Sequence, residues 1–319
     1  MKENLQKGFT LIELLMVIGI VGLLAAALIT NMTSGIAGGQ KLKCMANLKN
    51  LAQAVSSYTT SQSGDDDDQH IPTAGSFETS HLGSDLETVY FSSSAAWVSW
   101  TPAGGGEWPY KPGLTESKED SMNASTFADT TLAFFSITNG VLWSYIGGDA
   151  SVYFCGTHKK VLEAAPVKRV YRSYVMNYYF GYHDKPNKPK YKHHHHRNLG
   201  SINQSGTAAI RVLFAELPGQ KDQKGVFTGE TWGDSVLNPG DSNLAPDTNK
   251  DEYFGFNHRV SNRWVANVAF ADGHVDGVVQ PAVRGSDGKA KVDVADLINL
   301  TKQMCNGEEI AIDIRKKMM

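Results

Sequence analysis

Polar and apolar positions divide the start of this chain into two stretches with different patterns. From Phe9 to Ile29 every residue except Thr10 and Glu13 is apolar or Gly. At ~1.5 Å rise per residue this run is long enough for one helical passage through a ~30 Å hydrocarbon layer. Between Lys41 and Tyr58, the residues Cys44, Met45, Leu48, Leu51, Ala52, Val55 and Tyr58 recur at spacings of three and four. That period predicts a helix with one apolar stripe. Gly35, Gly38 and Gly39 lie between the two stretches. Each costs roughly 1 kcal/mol against Ala in a helix, which predicts a soft or partly melted joint, unless close helix packing is their purpose.

Beyond Ser63-Gly64 the periodicity ends in Asp65 to Asp68. Four adjacent acids lack the alternating spacing of a calcium loop and read as a solvated turn. Residues 70–118 are rich in Gly, Ser, Pro and Trp and predict an irregular insertion packed by aromatics such as Trp97, Trp100, Trp108 and Tyr110. Ala128 to Ile146 predicts a helix. Short β-branched or aromatic runs at Val152–Cys155, Ser173–Tyr179, Ile210–Ala215 and Asn267–Phe270 predict strands, and Asp272-Gly273 predicts a type I′ turn into a last strand over His274–Val279. The expected fold is α+β: a long N-terminal helix, membrane-spanning in its first half, packed on an antiparallel β-sheet globular domain with long loops.

Composition adds little to this. The chain has 319 residues and a net charge of −3, so no global nucleic-acid signature is present. Lys2 and Lys7 against Glu3 keep the leader weakly basic, which orients the N-terminus to the cytoplasm. The lone Glu13 carries more information. A carboxylate inside an apolar segment costs on the order of 2.5–3.5 kcal/mol on insertion scales and calls for a partner. A free amino group on Phe9, made by a cut after Gly8, would supply that partner from a neighbouring subunit.

The segment Gly8-Phe9-Thr10-Leu11-Ile12-Glu13 resembles the cleavage and methylation signature of type IV pilins and type II secretion pseudopilins. The resemblance implies peptidase cleavage between Gly8 and Phe9, N-methylation of Phe9, and Glu13 as the assembly contact in a helical filament. The proline often found some twenty residues into the mature helix is replaced here by Thr30 and Asn31. An ordinary signal peptide cut after Ala27 is the alternative, but the run is longer than a usual signal core and Glu13 would weaken it. Further pieces resemble a large pseudopilin-like subfamily: Cys44 with Asn47 to Leu51, Phe154-Cys155, Ser173-Tyr174, Leu213 to Glu216, and His258 ahead of Asp272-Gly273-His274. Here thirteen residues separate His258 from Asp272, where that subfamily usually has nine, and Gly156 replaces its usual proline. The resemblance carries no established chemistry for the His…Asp-Gly motif, so His258, Asp272, Gly273 and His274 enter as a motif of unknown role.

The domain reading follows: residues 1–8 a leader, 9–29 a transmembrane helix segment, 30–62 its amphipathic continuation, and 63–319 an extracytoplasmic head. Three cysteines fit no zinc spacing. They read either as a Cys44–Cys155 disulfide with Cys305 left over, or as three buried thiols. No nucleophile elbow, zinc-protease helix or phosphate loop occurs, so no catalytic, cofactor or metal residue is assigned and no enzyme is expected. The basic segment 185–197, with His193 to His196, reads as an exposed loop whose sharper alternatives are a polyanion contact or adventitious metal binding. The functional expectation is a bacterial inner-membrane, single-pass subunit with its head extracytoplasmic. It would be processed by prepilin peptidase and assembled with identical or related pilin subunits by inner-membrane secretion or pilus machinery, as a type II secretion pseudopilin. A type IV pilin with an adhesive or DNA-binding head, or an anchored binding protein that never polymerises, are the rival readings.

Overall fold

A computed structural model describes residues 11–61, 140–158, 172–177, 179–180, 206–217, 236–237, 252–285 and 290–319, together with 71–72, 74, 96–98, 137–138, 202, 239–240, 245–246 and 248. Helix α1, Leu11–Ser61, is continuous for 51 residues and runs through Gly35, Gly38 and Gly39 without a break. The expected soft joint is therefore not a break in the backbone. Hydrogen bonding along the rest of the helix outweighs the glycine propensity cost. Added Cβ atoms at Gly38 and Gly39 would meet nothing within 4 Å among the described residues of this chain.

The two halves of α1 have opposite surroundings. Cys44, Leu48, Leu51, Ala52, Val55 and Tyr58 are buried, as the stripe predicts, while Met45 of the same stripe is only half-buried and Ala54 joins the core. By contrast Leu11, Ile12 and Leu23 are each at least 75% exposed, and every residue from 11 to 24 is exposed. Among the described residues no helix is long and apolar enough to cross a membrane. The apolar stretch whose side chains are described, 11–24, measures only about 21 Å against the ~30 Å needed.

The main sheet is built from β1 (Tyr174–Asn177), β2 (Val212–Glu216), β3 (Val236–Leu237), β4 (His258–Val260), β5 (Arg263–Phe270) and β6 (Val275–Val279). It is antiparallel except for the two-residue β3, which runs parallel to β1. Strand β5 is the centre. Val265 pairs with His258 on one edge and Val279 on the other, while Val268 pairs with Ala215 and Asp276. Strands β2 and β4 thus lie end to end along the same edge of β5. A small separate pair, β7 (Val283–Arg284) with β8 (Ala290–Lys291), follows.

Alternation along the strands sorts the core into two layers. Tyr174, Met176, Phe214 and Ala269 pack with α1, whereas Val175, Val212, Ala215, Ala266, Val268 and Phe270 pack on the other face. That second face is covered by α2 (Val294–Asn306) and α3 (Ile312–Met318). Helix α2 has Asp293 accepting from the Ala295 N–H at its start and Gly307 at φ 69° at its end. Leu297, Leu300, Met304 and Cys305 are its buried contribution.

Local expectations fare unevenly. Val152–Cys155 is not a strand: Ala150–Tyr153 forms a 3-10 turn whose start is capped by Asp149, and this local cap overrides the aromatic β-propensity. Within the expected 128–146 helix, residues 137–138 are helical, whereas 140–146 are turns and a short 3-10 piece, Ser144–Ile146. The type I′ turn falls at Ser261-Asn262, at φ 46° and 66°, joining β4 to β5. At Asp272-Gly273 only Gly273 has positive φ (85°), and the Gly273 N–H donates to Phe270 O. That is a type I turn closed by a glycine bulge, which suits a three-residue hairpin loop. The acid run 65–68, Trp100, Trp108, Tyr110 and the basic segment 185–197 lie outside the described residues. Trp97 is a core filler: it is fully buried, stacks on Tyr153 and meets Phe214 edge-on.

Candidate functional site

Four chemically active side chains meet between α1 and the sheet: Cys44, Cys155, Glu216 and His258. One ligand atom from each lies within 4.8 Å of all the others, and all four residues are buried. Each arrives by a separate local cause. Cys44 is the first buried position of the α1 stripe. One turn on, the Asn47 side-chain amide donates to the carbonyls of Ser151 (3.1 Å) and Phe154 (3.0 Å), which holds the 3-10 turn against the helix and presents Cys155. A β-bulge between Val212 and Phe214 puts Leu213 and Phe214 both on the α1 face. The phase shift returns Ala215 to the far face and aims Glu216 at α1; without the bulge Glu216 would share the face of Val212. His258 opens β4, and the bond from Gly255 N–H to Glu216 O (2.7 Å) brings the end of β2 to the start of β4.

The geometry centres on one nitrogen. His258 Nε2 is 2.8 Å from Glu216 Oε1 and 3.5 Å from Cys155 Sγ. From the sheet side, Asn267 grips the same carboxylate, its backbone N–H donating to Oε2 (3.1 Å) and its side-chain amide to Oε1 (3.0 Å). Tyr174 OH donates to Cys44 O at 3.5 Å and lies 3.4 Å from Asn47 Nδ2.

The electrostatics follow from burial and contact. The hydrogen bond from Cys44 holds the Cys155 thiol well below its ordinary value despite burial, helped by His258. Cys44 moves up, because its thiol proton is engaged by Cys155 and its own burial disfavours charge. Burial pushes Glu216 up to about 6, against the pull of His258. Burial would lower His258, but the bonds to Cys155 and Glu216 outweigh it and bring it to about 9. Two thiols, a carboxyl and an imidazole thus meet in one low-dielectric setting, where each shifts the others.

The predicted site residues separate. Cys44 and Cys155 come together as free thiols, while Cys305 is buried on the other side of the sheet. The His…Asp-Gly motif splits along β5. His258 enters the cluster, whereas Asp272 and His274 lie at the other end of the strand, exposed, with His274 Nδ1 2.6 Å from Asp272 Oδ1. Asp272 also accepts from the His274 N–H (3.0 Å), and His274 stacks on Phe270 at 4.2 Å, a turn-forming arrangement. Gly273 O accepts from Lys49 Nζ at 2.6 Å, which ties the turn to α1. Gly8 and Phe9 lie outside the described residues, and Glu13 is on the exposed start of α1. Sequence reasoning did not assign Glu216, Asn267 or Asn47 to a site. The usable signal was an acid ending the apolar strand Val212–Ala215 and an Asn inside the apolar run Val265–Phe270.

A family model described as the prokaryotic N-terminal methylation motif matches residues 4–29. No curated protein and no solved structure matches the chain.

Proposed function

We propose that the chain is a pilin-like subunit, cut between Gly8 and Phe9, N-methylated on Phe9, anchored in the bacterial inner membrane by 9–29, and assembled into a filament of the type II secretion kind. The observation that carries this is the methylation motif at 4–29 running directly into a helix whose described start, 11–24, is apolar and exposed, while the same helix farther on is buried in the head. Apolar surface of that extent needs a cover, and lipid before assembly and neighbouring subunits after it are covers suited to one helix. Glu13, the acid of this stretch, then pairs with the amino group of a neighbour's Phe9. The head is structural in this reading and performs no catalysis.

Mass spectrometry of the mature N-terminus tests the proposal. The expected start is N-methyl-Phe9; a start at Leu28 identifies signal-peptide cleavage and ends the filament reading. Glu13→Ala is expected to leave membrane insertion intact or improved while abolishing incorporation into filaments, read as sheared polymer yield. Loss of protein secretion on deletion of the chain supports the pseudopilin, and long surface polymers support the pilin.

A further inference from the structure

The geometry points to a closed zinc site in the head, with Cys44 Sγ, Cys155 Sγ, a Glu216 carboxylate oxygen and His258 Nε2 as its four ligands. This inference is independent of the filament reading, and it rests on how the four groups face one another.

His258 Nε2 carries at most one proton, yet both Glu216 Oε1 (2.8 Å) and Cys155 Sγ (3.5 Å) converge on it. Acceptors crowded around one ring nitrogen are what ligands of a shared cation look like with the cation removed. In a tetrahedral zinc site with bonds of ~2.0–2.3 Å the ligand atoms stand roughly 3.3–3.8 Å apart. The four atoms here lie within 4.8 Å of one another, at most about 1–1.5 Å beyond that spacing. Glu216 is fully buried and already held from behind by two bonds from Asn267, the outer support that orients a ligating carboxylate. Thiolates with an imidazole select zinc over calcium or magnesium, which prefer all-oxygen shells. Zinc takes cysteine as thiolate and histidine as neutral imidazole, so whatever protons these ligands carry at the coordinating atoms leave to solvent as the metal binds.

Burial decides against a catalytic role. All four residues are buried, and the groove beside α1 lined by Asn50, Gln53, Ser57, Tyr145 and Val152 includes none of them. With four protein ligands and no open position the site is structural. Its ligands come from α1, the turn after the 3-10 piece, β2 and β4, so the metal clamps the helix to the sheet at the base of the head.

The test uses the full chain in detergent, carrying His193→Ser, His194→Ser, His195→Ser and His196→Ser, because four adjacent imidazoles would bind zinc by themselves. After reduction and chelator treatment the protein is reloaded with Zn²⁺, or with Co²⁺ as the spectroscopic probe. We expect one zinc per chain by elemental analysis, a thiolate-to-cobalt charge-transfer band, and protection of Cys44 and Cys155 from alkylation that ends on adding chelator. Cys155→Ser removes the retained zinc. Asn267→Ala, which leaves every ligand in place, weakens zinc about 10–100-fold. Absence of the charge-transfer band in the reduced, folded chain overturns the site without reliance on any ligand variant. Recovery of Cys44 and Cys155 as a disulfide with no zinc, or zinc retention unchanged by Cys155→Ser, overturns it equally.

Discussion

Glu216 shows how much one residue depends on its setting. Burial alone pushes its carboxyl toward the neutral form, and His258 with Asn267 returns it to a usable anion. Removing such a partner leaves an uncompensated buried charge, which costs far more than an exposed ion pair is worth. Glu216→Ala in chelator-treated protein is therefore expected to destabilise the head by about 3–5 kcal/mol, measured by urea unfolding. Removing the exposed His274–Asp272 contact by His274→Ala is expected to change stability by less than about 1 kcal/mol in the same measurement. Comparable losses from the two variants would contradict the assignment of the motif's halves to different roles. Cys305 is a different kind of buried residue. Burial raises its thiol well above the ordinary value, so it should resist alkylation in the native chain and react only after unfolding.

At the scale of elements, the apolar stripe of α1 was readable because a 3.6-residue period has to face one way on a helix. The strands were readable where β-branched runs coincide with sheet. The Val152–Cys155 reading failed because a four-residue run carries little propensity against the Asp149 cap. Helix α2 went unread although Asp293 and Gly307 mark both its ends; only packing on the far sheet face makes Leu297, Leu300 and Met304 a stripe with a partner. The turn at Ser261-Asn262 yields a direct prediction. Both residues sit at positive φ, where Asn and then Gly are the favoured pair. Ser261→Asn with Asn262→Gly is expected to stabilise the head by about 0.5–1 kcal/mol, read as a rise in the urea midpoint at unchanged slope. The same change at Ala271-Asp272 should not stabilise, since Gly273 already holds that loop's positive-φ position.

For the whole molecule, α1 joins an exposed apolar lead to a head packed on both faces of one sheet. Leu51→Ala, at 0% exposure under the sheet, is expected to cost about 2–5 kcal/mol of head stability. Leu23→Ala, at 75% exposure, should leave urea unfolding of the head within about 0.5 kcal/mol and act only on insertion or assembly. Equal effects on head stability would show the two halves of α1 to be one cooperative unit. By itself the sequence determined what depends on neighbours a few positions apart: the apolar lead with its lone acid, the helical stripe from Cys44 to Tyr58, and the strands around β5. Only the tertiary structure decided that positions 44, 155, 216 and 258 share one buried point, and that His258 parts company with Asp272. The reason is register. A bulge of one residue in β2, the end-to-end placement of β2 and β4 on β5, and the rotation of α1 over that face set where those side chains aim, and none of these leaves a spacing in the chain.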